Sequence, residues 1–91
     1  MTHAVVLISA ERDALPTLGS QLADVEGVGE AYSVTGQWDF VVILRVRNPE
    51  EVAHVVTHKF AELKGIKDTE TMVAFEAFSQ HDLEALFSIG N

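Results

Sequence analysis

The amino-acid sequence predicts one α+β domain, with a four-stranded antiparallel sheet and two helices packed on one face of that sheet. The chain has 91 residues, of which 47% are hydrophobic, and this suits a single small core. An internal repeat indicates the topology, because segment 22–28 aligns with segment 60–66 and places Gly27 on Gly65. The chain is therefore predicted to contain two βαβ halves, which pair into a ferredoxin-like βαββαβ domain over residues 1–78.

The first half of the repeat contains an apolar strand followed by an amphipathic helix. Residues 3–9 are predicted as strand one, whose uninterrupted aliphatic run from Val5 to Ile8 is typical of a central strand. A helix is expected next, with Asp13 as its N-cap and Pro16 as its third residue, where no intrahelical N–H bond is lost. Its apolar stripe consists of Leu15, Leu18, Leu22 and Val25.

Two further strands are predicted on either side of a tight turn that contains Gly36. Strand two is expected over residues 28–35, where simple alternation places Val28 and Glu30 on the same face. Strand three is expected over residues 40–46 and is apolar on both faces. It should therefore lie beside strand one in the centre of the sheet.

The second helix has a clearly marked start. Asn48 is its expected N-cap and Pro49 its first residue, and its apolar stripe is expected to face the sheet. Strand four is predicted over residues 66–78, and a short C-terminal helix over the extension 79–91. The stripe of the second helix consists of Val52, Val55, Val56, Phe60 and Leu63.

The predicted topology leaves one face of the sheet without a helix. Strands one, three and four nevertheless carry apolar residues on both faces. An exposed apolar sheet face of several hundred Å² would be unusual for a monomer. We therefore expect this face to pack against a second copy of the chain.

Composition argues against several classes of function. Six Lys and Arg against fourteen Asp and Glu give a formal charge of −8, which argues against direct contact with nucleic acid. The absence of cysteine excludes disulfides and thiolate zinc sites, and it fits a cytoplasmic location. The apolar runs are too short to span a membrane, and the N-terminus lacks the basic region of a signal peptide.

Motifs for catalysis and metal binding are weak. His54 and His58 have the spacing of a metal-binding pair on a helix, but a solvated helix face is the simpler interpretation. The sequence contains neither a phosphate-binding glycine loop nor a nucleophile elbow. We predict no catalytic residue, metal or cofactor. A cofactor-free dimeric α+β-barrel enzyme, of the monooxygenase or isomerase type, stays open as an alternative.

Two segments are candidates for ligand binding. The turn from Thr35 to Asp39 holds the single Trp, a large aromatic residue that usually packs against something. The Asp39 carboxylate can accept hydrogen bonds from N–H groups of the turn, or it can face an ammonium group. In strand four, Thr69 and Thr71 share a face, where two hydroxyls can bond a carboxylate, although threonines also simply favour strands.

These segments, together with Gly27-Val28 and Gly65-Ile66, resemble the effector-binding RAM domain of the leucine-responsive regulator/AsnC family, and the resemblance spans about residues 4–78. It implies dimers formed through the sheet faces, higher oligomers, and small effectors, usually amino acids, bound between dimers. It also implies that Asp39 meets the ammonium group of the effector and Thr71 its carboxylate. The ligand-binding residues implied by the resemblance are Gly36, Gln37, Trp38, Asp39, Thr69, Thr71 and Met72.

Full-length members of that family also carry an N-terminal helix-turn-helix domain, which is not expected here because strand one starts at His3. The expected function is a stand-alone, amino-acid-sensing regulatory module that forms homo-oligomers. An assembly partner of a full-length regulator, without a ligand of its own, remains a second alternative beside the enzyme.

Overall fold

A computed structural model describes residues 1–78, which form the predicted four-stranded antiparallel sheet with helices on one face. The strand order is β2-β3-β1-β4, so the prediction that strands one and three are central is confirmed. The helix predicted in the extension 79–91 lies outside the described residues. The main elements are β1 (Thr2–Ala10), α1 (Leu15–Ala23), β2 (Val28–Ser33), β3 (Phe40–Val46), α2 (Pro49–His54) and β4 (Ile66–Val73).

A single apolar core lies between the sheet and the helices. Alternate residues of β1 and β3 face the helices, as the period of two in a strand requires. No polar or charged residue is buried within residues 1–78, and no helix there is long and apolar enough to cross a bilayer. The core comprises Ala4, Val6, Ile8, Ala10, Leu18, Leu22, Phe40, Val42, Leu44, Val46, Val52, Val55 and Phe60.

The first helix begins later than predicted. Residues Arg12–Ala14 form a 3-10 turn, and α1 starts at Leu15 with Ala14 in the N-cap position. The prediction that Asp13 is the N-cap is therefore wrong, since Asp13 lies inside the 3-10 turn. Pro16 consequently occupies the second helical position, where a missing N–H group still costs no intrahelical hydrogen bond.

The second helix begins as predicted but widens after His54. The side chain of Asn48 accepts a hydrogen bond from the Glu51 N–H at 3.0 Å, which confirms the N-cap. Residues Val55–Lys59 form a π-helical turn, followed by a 3-10 turn at Phe60–Glu62. Inside the wide turn, the Thr57 hydroxyl donates to the Ala53 carbonyl at 2.6 Å and so competes with the backbone N–H groups for that acceptor.

Strand β2 contains a bulge that the sequence pattern did not reveal. Val28 pairs with Leu44, whereas Glu30 pairs with Ile43, so the register shifts at Gly29. Val28 packs against the core, and Glu30 lies on the opposite face of the sheet. The prediction that Val28 and Glu30 share a face is therefore wrong.

Strand β4 is shorter than predicted, because it ends at Val73 rather than at residue 78. Val73 stands opposite Ala4, and the Ala74 N–H then donates to the His3 carbonyl at 2.9 Å. The apolar alternation continues over residues 74–78, but these residues form no strand. Phe75 within this segment is fully exposed.

The face of the sheet that carries no helix is aliphatic in its centre. Its central residues lie on β1 and β3 and alternate with core residues. Tyr32 and Met72, on the two edge strands, are 51% and 45% exposed on this face. We call this surface the open face. Its centre consists of Val5, Leu7, Val41 and Ile43, all half-buried.

Candidate functional site

Backbone hydrogen bonds tie the turn between β2 and β3 to the end of β1. The Val34 N–H donates to the Asp39 carbonyl at 3.0 Å and closes the turn. The Asp39 N–H donates to the Ile8 carbonyl at 2.9 Å. In addition, Asp39 Oδ2 accepts the N–H of Ala10 at 2.8 Å. The Asp39 carboxylate thus continues the β1–β3 ladder by one hydrogen bond beyond its last residue pair, Ile8 with Phe40.

This contact makes Asp39 a determinant of stability. Asp39→Ala is expected to lower the free energy of unfolding by about 1–2 kcal/mol, since the Ala10 N–H loses a charged acceptor. Asp39→Asn keeps an oxygen at the same place and is expected to lose less. Urea denaturation followed by circular dichroism measures both values. Equal losses in the two variants would show that this hydrogen bond is not what Asp39 contributes.

A small cavity lies under the turn on the open face. Gln37 and Trp38 line it from the turn, and Ser9 and Asp68 line it from the sheet, around a volume of about 110 Å³. Ser9 and Asp68 stand opposite each other on β1 and β4. Neither of these last two residues was predicted from the sequence. The available signals were a polar residue at the end of the aliphatic run in β1, and a carboxylate directly before Thr69.

The threonines of β4 lie on the other side of the sheet. Thr69 and Thr71 stand opposite the core residues Ile8 and Val6, so both are on the helix side and share a face, as predicted. Met72 lies on the open face. Within one chain, the turn cavity therefore contains Gln37 and Trp38 but not the β4 threonines. At Gly36, the adjacent residues apart, no heavy atom of residues 1–78 lies within 4 Å of the position that a Cβ would take.

An ion pair borders the open face beside the bulge. The two terminal guanidinium nitrogens of Arg45, Nη1 and Nη2, donate to the Glu30 carboxylate, and Nη2 lies 3.1 Å from Oε1. The Arg45 head group occupies the space that a side chain at Gly29 would fill. The hydrogen bond from Arg45 lowers the pKa of Glu30, and the positive charge adds to this effect. The pair therefore favours the folded chain above the ordinary pKa of a glutamate, and this contribution is lost as the pH falls through the lowered pKa.

The two histidines of the second helix form a stacked pair. The rings of His54 and His58 stack with their centroids 4.8 Å apart. They border an open depression of about 510 Å³, where Lys59 Nζ donates to the Glu26 carbonyl at 3.1 Å. Over residues 1–78, no three His, Cys, Asp or Glu side chains converge to hold a metal ion.

A second depression, of about 550 Å³, adjoins the histidine pair at the opposite end of the sheet from the turn. Arg45, Arg47 and Lys59 line it together with Glu26 and Glu51. Its charges are mixed, and Arg45 is already paired with Glu30. The turn cavity differs from this depression because none of the described residues that line the cavity is cationic.

Sequence comparison relates the chain to transcriptional regulators. A family model described as the Lrp/AsnC ligand binding domain matches residues 3–83. An uncharacterised HTH-type transcriptional regulator of Pyrococcus furiosus is 40% identical over 77 residues, which cover 81% of this chain and 51% of that protein. A counterpart from Pyrococcus abyssi is 34% identical over 82 residues, covering 87% and 55%. The chain thus spans about half the length of the curated relatives it matches.

Solved structures share the fold. A protein of Thermus thermophilus superposes with a TM-score of 0.82 at 39% identity, over 88% of this chain and 100% of that chain. AsnC of E. coli gives 0.78 at 21% identity, over 87% and 54%. A transcriptional regulator of Neisseria meningitidis, solved as a complex with L-Met, gives 0.76 at 15% identity, over 87% and 53%.

Proposed function

The chain belongs to the Lrp/AsnC ligand-binding domain family, and we propose that it is a regulatory module that binds a free amino acid and assembles through its open face. The observation that carries this proposal is the anchored turn, which holds Gln37 and Trp38 over a small polar cavity. The neighbour solved with L-Met shares the fold and supports an amino acid as the class of effector.

Assembly through the open face follows from its chemistry. The centre of this face is aliphatic and the core side of β1 and β3 is apolar, yet no helix covers the open face in the described part of the chain. A second copy placed face to face would remove this surface from water, which is the dominant favourable term in association. The ion pair of Arg45 and Glu30 would then lie at the rim of the contact.

A binding site between chains would bring together the predicted ligand residues, which lie on two different faces of the sheet. In one chain, the turn cavity and the β4 threonines lie on opposite faces of the sheet. A site built between dimers can combine such surfaces from different chains. The residues proposed to form the effector site, by contact or by holding the turn in place, are Gly36, Gln37, Trp38, Asp39, Thr69, Thr71 and Met72.

The proposed module works by binding rather than by catalysis. A cofactor-free enzyme on this scaffold needs a polar cavity between sheet and helices, with a base such as a histidine. In the described chain, that space is filled by apolar side chains. His54 and His58 are exposed on the outer surface of the second helix.

Co-assembly with longer regulators is a second candidate function. The relative of P. furiosus is 40% identical over the matched region, which makes up 51% of that protein. Two domains this similar can present compatible open faces to each other. Mixed oligomers with such regulators would then pass the effector signal to a DNA-binding partner.

Calorimetric titration of the purified oligomer with each of the twenty amino acids tests the proposed function. We expect at least one amino acid to bind. Thr71→Val, which removes only the hydroxyl, is expected to weaken that binding about 10-fold or more, as for a hydrogen bond to a charged group. Thr17→Val, at an exposed position of α1, is the matched control. An intact oligomer that binds no amino acid would contradict the proposal.

A further inference from the structure

We propose that Asp68 is the residue that receives the ammonium group of the effector, and that Asp39 positions the turn above it. This inference rests on the proposed function, because it assigns a chemistry to one part of the same site. It adds a residue that neither the sequence pattern nor the family resemblance indicated.

The polar groups of Asp39 already form hydrogen bonds within the fold. Its Oδ2 accepts a hydrogen bond from the Ala10 N–H at 2.8 Å. Its own N–H donates to the Ile8 carbonyl, and its carbonyl accepts from the Val34 N–H. The residue is half-buried and does not line the turn cavity. A ligand that bound to this carboxylate would compete with the hydrogen bond that fixes the turn to β1.

Asp68 is placed differently. It lines the cavity directly, its side chain is exposed, and it stands opposite Ser9 across the β1–β4 pair. Its Oδ1 accepts the N–H of Thr69 at 3.0 Å, which fixes the orientation of the carboxylate. Within residues 1–78, this is the hydrogen bond that the Asp68 side chain makes, so Oδ2 can accept from a ligand.

The other lining groups suit a cation. A serine hydroxyl and an amide oxygen, here those of Ser9 and Gln37, are acceptors, and tryptophan, here Trp38, is the side chain that attracts ammonium groups best over its ring face. No cationic side chain lines the cavity, among the residues that the structure describes, to compete with a ligand cation.

The size of the cavity limits what it can hold. A volume of about 110 Å³ lies well below the roughly 300–1,000 Å³ of sites that enclose a whole drug-sized ligand. The cavity therefore takes the ammonium end of a primary amine. The rest of the amino acid projects outward, toward the surface where another chain can contact it.

Calorimetry on oligomeric Asp68→Asn, with the panel of twenty amino acids, tests this assignment. We expect binding to weaken about 10- to 100-fold relative to the wild type, the range for losing a charged hydrogen-bond partner. Glu70→Gln is the matched control, because it removes the same charge on the same strand and face but outside the cavity. It is expected to change binding less than about threefold, since a surface charge away from the ligand contributes little. N-acetylated forms of the amino acids that bind are expected to lose binding to the wild type, since they carry no ammonium group.

The outcomes separate this inference from the proposed function. Unchanged binding by Asp68→Asn, or equal binding of the N-acetylated forms, would overturn the assignment of Asp68 while amino-acid sensing stands. A wild-type oligomer that binds none of the twenty amino acids would overturn both. Circular dichroism and light scattering on each variant confirm that fold and assembly are intact before binding is compared.

Discussion

Replacing Val5 by glutamate is expected to convert the proposed assembly through the open face into monomers of about 10.0 kDa. Val5 lies in the centre of the open face, between Ile43 and Met72 on the neighbouring strands. In a two-fold contact between open faces, each copy of the new carboxylate would be buried against the aliphatic centre of the other face. Burying unpaired charges in this way costs several kcal/mol, so the dissociation constant should rise about 100-fold or more.

Ala53→Glu is the control for this substitution, because it adds the same charge at an exposed position of α2. Light scattering over a range of micromolar concentrations should show wild-type mass for Ala53→Glu and monomer mass for Val5→Glu. Circular dichroism establishes that both variants are folded. A folded Val5→Glu variant with the wild-type mass would place the interface elsewhere on the molecule.

The second large effect is expected at Gly65, where alanine should destabilise the fold by about 2–5 kcal/mol, the sum of two costs. Gly65 has a φ of +98°, a conformation that costs an L-residue about 1–2 kcal/mol. An added Cβ would also come too close to the Cβ of Ala14 for both to stay in place. Relief of that overlap would require movement of the turn before α1, and overpacking of this kind costs about 1–3 kcal/mol.

Gly36→Ala separates the two contributions. Gly36 has nearly the same φ, +104°, but in the described part of the chain only its adjacent residues have heavy atoms within 4 Å of the position of an added Cβ. Its alanine variant should therefore lose only the backbone contribution, about 1–2 kcal/mol. Urea denaturation of both variants measures the difference. Equal losses would mean that the approach of Gly65 to Ala14 contributes nothing to the cost.

The architecture could be predicted because the βαβ pattern occurs twice in the sequence. The alignment of Gly27 with Gly65 identifies two βαβ halves, and the apolar character of both faces of β1 and β3 indicates that they are central. The Asn48 cap was equally predictable, since the capping interaction is formed by residues close together in the chain.

The errors concern features that depend on distant partners. Alternation counted along β2 could not reveal the bulge at Gly29, which is defined by pairing with β3 and lies beside the Arg45–Glu30 pair. Likewise, the apolar pattern of β4 continues past Val73, but a strand also requires hydrogen bonds to its neighbour, and these end near His3. The local sequence indicates that a segment favours a strand, but it does not indicate where hydrogen bonding to the neighbouring strand ends.

The site was predictable only in part for the same reason. The unusual composition of the turn indicated Gln37 and Trp38, but Ser9 and Asp68 join them through the pairing of β1 with β4. The hydrogen bond between Asp39 and Ala10 spans 29 positions of the chain. This hydrogen bond holds the Asp39 carboxylate at the turn, whereas Asp68 lines the cavity.

A crystal structure grown with a mixture of amino acids tests the central claim most directly. The proposed function predicts open faces packed against each other and an amino acid at the turn, with its ammonium nitrogen about 3 Å from a carboxylate oxygen of Asp68. Open faces exposed to solvent, together with an empty turn cavity and an amino acid bound in the depression around Arg47 and Lys59, would contradict it.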